Sequence, residues 1–475
     1  MAQTGLKTGG EFNLLEAKLT LSTGVVIDLV PGNSIMGLIL FENIESHTID
    51  GTVTIQDSIN LGSVGPIIGQ EYFSLKIATP GLDNNEEYNI DFTDNAFMIT
   101  SLQSRVDVGN GVQANILSFS SRELITNARQ RVSRTLVGTY SDIVKTMLRT
   151  DLDSGKPFYV EDSVDNKKIV APNIYPFDVI NIATKHAISK KHNDPTYIFW
   201  ESMRGFNFKT LGNMYSKTPI ITYQYTIPGT RYTNGKLNVA LETSAIENFT
   251  ITGTPDTLRN YNSGAYSSSL IVHDIISKSY KKHTYNYINS FDNQRHIDKE
   301  SARPVLNNIP LTQGGGNLSS FPSSQYLKTT VGFGNDQSYE DDTNQYNFTS
   351  ERLPDIIQSR ASQMVMMDGL SLNIDVTGST LVCAGDIIGV IIPNTAANIE
   401  GNDTEDSLFK GNFLVKTLRH NFDMGESRRH SMHMQVVKDS MTKNIPSPDN
   451  NFEPKQKSPP RTIKEFDDID SHYDN

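Results

Sequence analysis

Between residues 11 and 119 the sequence breaks into short runs that alternate apolar and polar side chains and end in turn-forming residues. This pattern limits the possible folds more than any other feature. Ala17 to Asp28, Ile35 to Glu42, Thr48 to Asp57, Glu71 to Thr79, Phe97 to Val106 and Val112 to Ser120 all show it. In Gly51 to Asp57, Val53 and Ile55 fall on one side and Thr52, Thr54 and Gln56 on the other, as a strand with one buried face requires. Gly32-Asn33, Pro80-Gly81 and Gly109-Asn110-Gly111 supply turns between the runs. Such a series without a helix predicts a small antiparallel barrel or sandwich.

Helical spacing begins after Phe119. Ser120 and Glu123 match a capping box ahead of an apolar stripe of Leu124, Ile125 and Ala128. A second helix is expected from Tyr140 to Leu152 on Ile143, Val144, Met147 and Leu148. A third is expected from Pro176 to Ser189 on Val179, Ile180, Ile182 and Ala183, with Pro176 in the first turn. TYIFWESMRGFNFKTL, residues 196–211, reads as two strands around a turn at Ser202 to Gly205, which makes 120–216 an α+β unit. From Ile220 the pattern is polar and β-rich, with Tyr223 and Tyr225 alternating against Gln224. The stretch 251–364 is rich in Asn, Ser, Tyr and Gly, carries Gly314-Gly315-Gly316 and the acidic run Glu340-Asp341-Asp342, and ends in a helix. That helix, Pro354 to Asp368, should bury Ile356, Ile357, Ala361, Met364 and Val365, and Gly369 should stop it. Further strands are expected at Leu370 to Val376, Ile387 to Ile392, Gly411 to Phe422 and Arg428 to Lys438. In the hairpin from Phe413 to Val437, strict alternation puts Leu414, Lys416, Leu418 and His420 on one face and Phe413, Val415, Thr417 and Arg419 on the other. Residues 1–10 and the proline-rich, charged 441–475 are expected to be flexible arms.

Composition narrows the chemistry. At 475 residues the chain has room for about three domains, and its 37% apolar and 20% charged residues are an ordinary soluble balance. It has neither an apolar signal core at its start nor a run of ~20 apolar residues, so the expectation is a protein made in a cytoplasm and not crossing a membrane. Lys and Arg number 42 against 54 Asp and Glu, and a net charge of -12 argues against a stable grip on duplex DNA. The single cysteine, Cys383, excludes an intrachain disulfide and reads as a small buried hydrophobe within LVCAGDIIGVIIP. His420, His430 and His433 invite a metal site, but an odd separation sends His430 and His433 to opposite faces of a strand.

Other candidates are equally bland. Asp91, Asp94 and Glu340 to Asp342 offer carboxylates for glycoside cleavage, yet such runs read as solvated loops. Arg122, Arg129, Arg131 and Arg134 form the main basic cluster, a solvated or partner-facing helix surface. The glycosylation triplets at Asn248, Asn317, Asn347 and Asn402 would matter only in a secreted protein. No P-loop, G-x-S-x-G, dinucleotide fingerprint or H-E-x-x-H is present. The expectation is a non-enzyme with no catalytic, cofactor-binding or metal residues and no cofactor.

A resemblance is carried by residues 353–438. LPDIIQSRASQMVMMDGLSLNIDVTGSTLVCAGDIIGVIIP and, after a loop, GNFLVKTLRHNFDMGESRRHSMHMQVVKD give a helix, a strand, a Gly-Asp turn before an apolar strand, and a hairpin of form F-x-V-x-x-L-x-H-x-F. This order resembles the baseplate hub proteins of T-even-like contractile phages. It is more distantly similar to tail protein D of simpler contractile phages and to the first part of VgrG spikes of type VI secretion. PFDVINIATKHAISKK and then TYIFWESMRGFNFKTL look like the corresponding middle element of such hubs.

The resemblance implies an α+β, predominantly antiparallel β chain. It would hold two tube-type β-barrel domains, at 11–119 and at 217–250 plus 365–440, with an α+β domain at 120–216 and a β-rich insertion at 251–364. It implies a homotrimeric ring in the virion tail baseplate, assembled in the host cytoplasm, that adapts a six-fold tail tube to a three-fold central spike. Its partners would be the central spike protein and the tail tube or tube-initiator protein, with tape measure and baseplate wedge proteins as further candidates. Genomic DNA would pass through without specific binding, helped by acidic repulsion in the channel. The insertion is longer than the family pattern requires. Two rivals are a hub and hydrolase in one chain, which needs a further folded domain, and a peripheral receptor-binding or glycan-degrading tail protein. The latter needs a surface carboxylate pair or a repetitive β-helix, and no internal repeat of the usual ~20–50 residues is found.

Overall fold

The structure is a computed structural model that describes residues 6–442, apart from 58–64, 66, 83–84, 110–111, 165, 227–230, 234–235, 275–277, 299–318, 331–336, 342–343, 349–351, 395–404, 407 and 426–427. Gly314 to Gly316, Asn317, Asp342, Asn402 and nearly all of the C-terminal arm therefore lie outside the described residues, as do the side chains of Glu340, Asp341 and Asn347.

The N-terminal strands are β1 (Asn13–Thr20), β2 (Val26–Asp28), β3 (Ile35–Asn43), β4 (Asp50–Asp57), β5 (Tyr72–Ala78), β6 (Ile90–Asp91), β7 (Phe97–Gly109) and β8 (Val112–Ser120). They pair in the order β2-β1-β5-β7-β8-β4-β3, with β6 beside β5. Alternation does what it should in β4, where Gly51, Val53 and Ile55 are buried and Thr52 and Thr54 half-buried. Leu38, Leu40, Phe73, Leu75, Phe97, Leu117 and Phe119 complete that core. The run from Ala17 to Asp28 is two strands rather than one, because Gly24 adopts φ 85° and folds β1 back on β2.

The middle block contains α1 (Arg122–Arg129), β9 (Val132–Gly138), α2 (Tyr140–Thr146), β10 (Phe158–Val160), β11 (Lys167–Ile174), α3 (Pro176–His186), β12 (Tyr197–Ser202), β13 (Gly205–Thr210) and α4 (Leu211–Tyr215). A π-helical turn, Met147–Asp151, prolongs α2, and Ile143, Val144, Met147 and Leu148 are all buried as expected. The β12–β13 hairpin turns between Ser202 and Gly205, also as expected. Two expectations fail here. Ser121, not Ser120, precedes α1, no capping box forms, and Glu123 is the buried residue while Leu124 and Ala128 face out. The cause is a buried ion pair from Glu123 to Lys156, which turns the helix inward on its polar side. Helix α3 stops at His186, short of Ser189, because Ala187 leaves helical geometry at ψ 144°.

The C-terminal half opens with β14 (Thr222–Tyr225), β15 (Tyr232–Thr233), β16 (Lys236–Leu237), α5 (Val239–Thr243), β17 (Ala245–Gly253) and α6 (Thr257–Asn262). The insertion adds β18 (Ser267–Asp274), β19 (Ser279–Asn286), α7 (Tyr287–Phe291), β20 (Ser324–Thr330), β21 (Gln337–Asp341), β22 (Asn344–Phe348) and α8 (Arg360–Met367). Last come β23 (Leu370–Thr377), β24 (Ile387–Ile391), β25 (Gly411–Asp423) and β26 (Arg429–Lys438). The ladder β25-β24-β14-β17-β23-β26 returns to β25 and closes a six-strand barrel around Tyr223, Leu372, Ile374, Val390, Phe413, Val415, Met434 and Val436. The chain is thus α+β and predominantly antiparallel, and it contains a closed six-strand barrel. Among the described residues the N-terminal ladder does not close on itself but continues from β3 into β25.

Two face assignments are corrected. A π-helical turn, Asp355–Ser359, precedes α8, and the buried positions are Gln358, Ser362, Met366 and Met367 rather than the predicted apolar stripe. The helix lies on the start of β18, where Gln358 donates to the Ser268 carbonyl (3.0 Å) and Ser362 to that of Ala265 (2.6 Å), so sheet-edge backbone selects polar side chains. In β25 a bulge between Val415 and Thr417 shifts the register, which puts Leu418 in the same core as Phe413 and Val415 and turns Arg419 outward.

A Cβ at Gly51 would overlap the Phe119 ring and the Ile39 carbonyl oxygen. Gly51→Ala is therefore expected to cost about 1–3 kcal/mol through overpacking, read as a lower denaturant midpoint, whereas Gly24→Ala, with open space around it, should cost only its left-handed backbone strain.

Candidate functional site

Strand β25 joins the N-terminal ladder to the barrel. It pairs with β26 from Leu414 to Asp423, with β24 from Gly411 to Leu414, and with β3 from Thr417 to Asp423. Side chains consequently line up across both β units. One outward row runs Asp50, Phe41, Arg419, His433, Asp375, Asn248, each directly opposite the next. The flanking rows are Thr52, Ile39, Asn421, Ser431 and Asn43, Thr417, Gln435, Asn373, Thr250. The face is mostly polar, with Ile39 and Phe41 as its apolar members, and no lysine stands in these rows. Its few charges are partnered locally: His433 lies 2.6 Å from Asp375, and Arg419 sits 5.6 Å over the Phe41 ring. Burial raises the Asp50 carboxyl above its ordinary range, and a groove of about 680 Å³ runs along the seam.

Beneath this face is a buried polar chain. Glu42 Oε1 lies 3.3 Å from His420 Nε2, and His420 Nδ1 lies 3.0 Å from His430 Nε2, all three residues being essentially inaccessible. Glu42 Oε2 also accepts the Ala384 N–H at 3.1 Å. The His430 ring stacks on Phe422 at 4.0 Å, a Cβ at Gly378 would collide with it, and its Nδ1 has no partner among the described residues. His433 points the other way, as the odd separation requires. Among the described residues no three His, Cys, Asp or Glu side chains are grouped to hold a metal ion. The His420–His430 contact escaped sequence reading because it joins diagonal neighbours across a hairpin rather than residues on one strand.

A second set of contacts clamps the α+β block onto the seam. Lys156 Nζ is 2.7 Å from Glu123 and 2.6 Å from Glu201, with all three side chains at most 5% exposed. Glu201 also accepts the Ile49 N–H at 3.0 Å, which ties β12 to the loop before β4. Burial pushes the Glu201 carboxyl up. It works downward on Lys156, but Glu201 and Glu123 hold that ammonium above its usual range. Nearby, Trp200 Nε1 donates to the Ala384 carbonyl at 3.0 Å, and Arg204 binds Asp386 at 3.1 Å and the Leu381 carbonyl. Gly385, at φ 89°, leaves no room for a Cβ against the Trp200 ring. The predicted Gly-Asp turn is therefore also the clamp's anchor. Cys383 is buried there, and burial raises its thiol well above the ordinary value.

The remaining sequence candidates do not converge. Asp91 pairs with Lys76 at 2.6 Å, and Asp94 is exposed. Arg134 forks onto Asp151 (2.8 and 2.6 Å), Arg131 stacks on Tyr175 at 3.5 Å, Arg122 donates to the Asp153 carbonyl at 2.6 Å, and Arg129 is exposed.

No family model and no curated protein matches the chain in sequence. In fold it is similar to the tail protein from Neisseria meningitidis MC58, with TM-score 0.50 and 12% identity over 89% of this chain and 96% of that one. The 43 kDa tail protein of prophage MuSo2 from Shewanella oneidensis aligns at TM-score 0.48 and 11% identity, over 90% of this chain and 99% of that one. An E. coli component of the type VI secretion system aligns at TM-score 0.39 and 8% identity, over 90% and 76%. The first of these likenesses establishes a shared fold.

Lys156→Met would leave two carboxylates facing each other in a dry site, a loss of about 3–5 kcal/mol at pH 8. The stranded pair would take up a proton at a higher pH than the unfolded chain does, so the deficit should shrink as pH falls; denaturant midpoints at pH 8 and 5.5 that differ from wild type by equal amounts would refute this. His430 has the opposite sign. Burial, with His420 beside it, holds its imidazole well below the ordinary value, so the unfolded chain binds the proton first and stability is lost as pH falls through about 6.5. His430→Phe should remove about 1 kcal/mol of the wild-type loss between pH 7.5 and 5.5, measured by the same titration.

Proposed function

We propose that this chain is a structural, non-enzymatic baseplate hub subunit of a contractile phage tail, forming a homotrimeric ring between the tail tube and the central spike. The observation that carries the reading is the shared strand β25, which sets two β units side by side in one chain. Two such units in each of three chains give six similar positions, which matches a three-fold spike to a six-fold tube. The fold shared with a bacterial tail protein supports the same reading. In it, residues 11–119 and 217–250 plus 365–440 are the tube-type domains, 120–216 the clamp that fixes their angle, 251–364 a peripheral insertion, and 1–10 and 441–475 arms.

The mechanism is mechanical. The outward face of the joined sheets lines the channel, where Thr, Ser, Asn and Gln predominate, Arg419 is drawn over the Phe41 ring and His433 onto Asp375, and the net charge of -12 repels phosphate. The ends of the ring meet the spike and the tube or tube initiator, with tape measure and wedge proteins around them.

Light scattering of the purified protein should give three times 52.8 kDa, and negative-stain images should show a three-fold ring with a central hole. A ring of another symmetry, or a monomer that stays monomeric when mixed with the spike protein, would overturn the proposal.

A further inference from the structure

A small cleft opens where the β12–β13 hairpin meets the turn at 383–386 and the loop before β6. Its wall holds Tyr159, Ser202, Arg204, Lys209, Lys217 and Asp386, it encloses about 210 Å³, and a second cavity of about 190 Å³ adjoins it through Glu87, Tyr159 and Arg204. Positive charge in this wall is under-compensated. Asp386 is engaged by Arg204, and Glu87 stands exposed in the wall. Lys209 has no carboxylate partner among the described residues: its ammonium donates to Asn207 Oδ1 at 2.6 Å and lies 5.0 Å over the Tyr159 ring. Arg204 spends both terminal nitrogens on Asp386 and the Leu381 carbonyl, while its Nε is buried without a partner. Burial first, then the neighbouring Lys217, push the Lys209 ammonium down to about 8; Asp386 pulls the other way, and Arg204 downward and Glu161 upward add smaller contributions. Such a cation is held in a state that an incoming anion would relieve.

We propose that this cleft binds a single oxyanion group, a phosphate or a carboxylate, held by Lys209 and Lys217. The volume is below the roughly 300–1,000 Å³ of sites for drug-sized ligands, so the guest is one anionic group or the tip of a side chain rather than a nucleotide. Ser202 and Asn207 cannot add donors, since Ser202 Oγ is committed to the Gly205 carbonyl and Asn207 Nδ2 to Ser202 and that same carbonyl. Specificity therefore rests on charge and size. The site lies where three segments meet, so an occupant would bridge the hairpin, the loop before β6 and the turn at 383–386. Two sources supply this chemistry, a free phosphate and an Asp or Glu side chain presented by a neighbouring protein.

The only tryptophan, Trp200, lies in the same wall, so its fluorescence reports occupancy. The full-length protein is titrated separately with inorganic phosphate and with N-acetylglutamate methylamide up to about 20 mM, ionic strength being held constant with chloride, and melting temperature is tracked in parallel. A saturable change in both readouts is expected with at least one probe. Response to phosphate alone identifies a free oxyanion guest, and response to the glutamate analogue identifies a side chain. The double variant Lys209→Gln with Lys217→Gln should weaken binding at least about tenfold, while Arg129→Gln, on the distant α1 surface, should leave it unchanged. No saturable response to either probe, or equal binding by the double variant with an unaltered circular dichroism spectrum, would overturn the proposal.

Discussion

One edge of β25 changes partner at Lys416. Before it the edge bonds to β24 and completes the barrel; after it the same edge bonds to β3 and leaves the barrel. A bulge permits this fork, since an extra residue bends the strand and re-aims the side chains beyond it. The bulged side chain is anchored, with Lys416 Nζ 2.8 Å from Asp368 and 3.0 Å from Glu45, and its carbonyl accepts the Ile44 N–H at 3.0 Å. Everything that relates the two β units depends on this point. The outward rows run without a break, Glu42 meets His420, and the loop after β3 is brought to the hairpin that carries Trp200.

Much of this was legible in the sequence, because period-two alternation is a strong signal wherever one sheet face is buried. The strands from Ile35 to Ser120 and from Leu370 to Lys438 were placed nearly residue by residue. The features that stayed hidden were decided by contacts between distant residues. The fork at Lys416 looks like ordinary alternation until a partner strand counts the residues. The orientation of α1 was set by Glu123 and Lys156, 33 residues apart. Strands β9 and β11 were missed because β9 buries Val132 and Leu136 with Ser133, Arg134 and Thr135 all exposed between them, so its alternation is weak.

The seam shows a consistent division of labour. Charges beneath the surface are few, dry and mutually satisfied, as in the Glu123, Lys156 and Glu201 trio, and they fix angles between parts rather than add much stability. On the outward face the charges are diluted among neutral hydroxyls and amides.

The pairing of β3 with β25 also has a consequence in time. Thr417 is 374 residues beyond Asn43, so at a synthesis rate of roughly 5–20 residues per second the β3 edge waits about 20–75 s for its permanent neighbour. During that interval the N-terminal sheet, its core still lacking Phe422 and Met424, displays an open row of backbone donors and acceptors, the kind of edge on which nascent chains can pair wrongly. Completion of the fold at the ribosome is thus tied to the emergence of β25, and a product truncated before it would carry the exposed edge indefinitely.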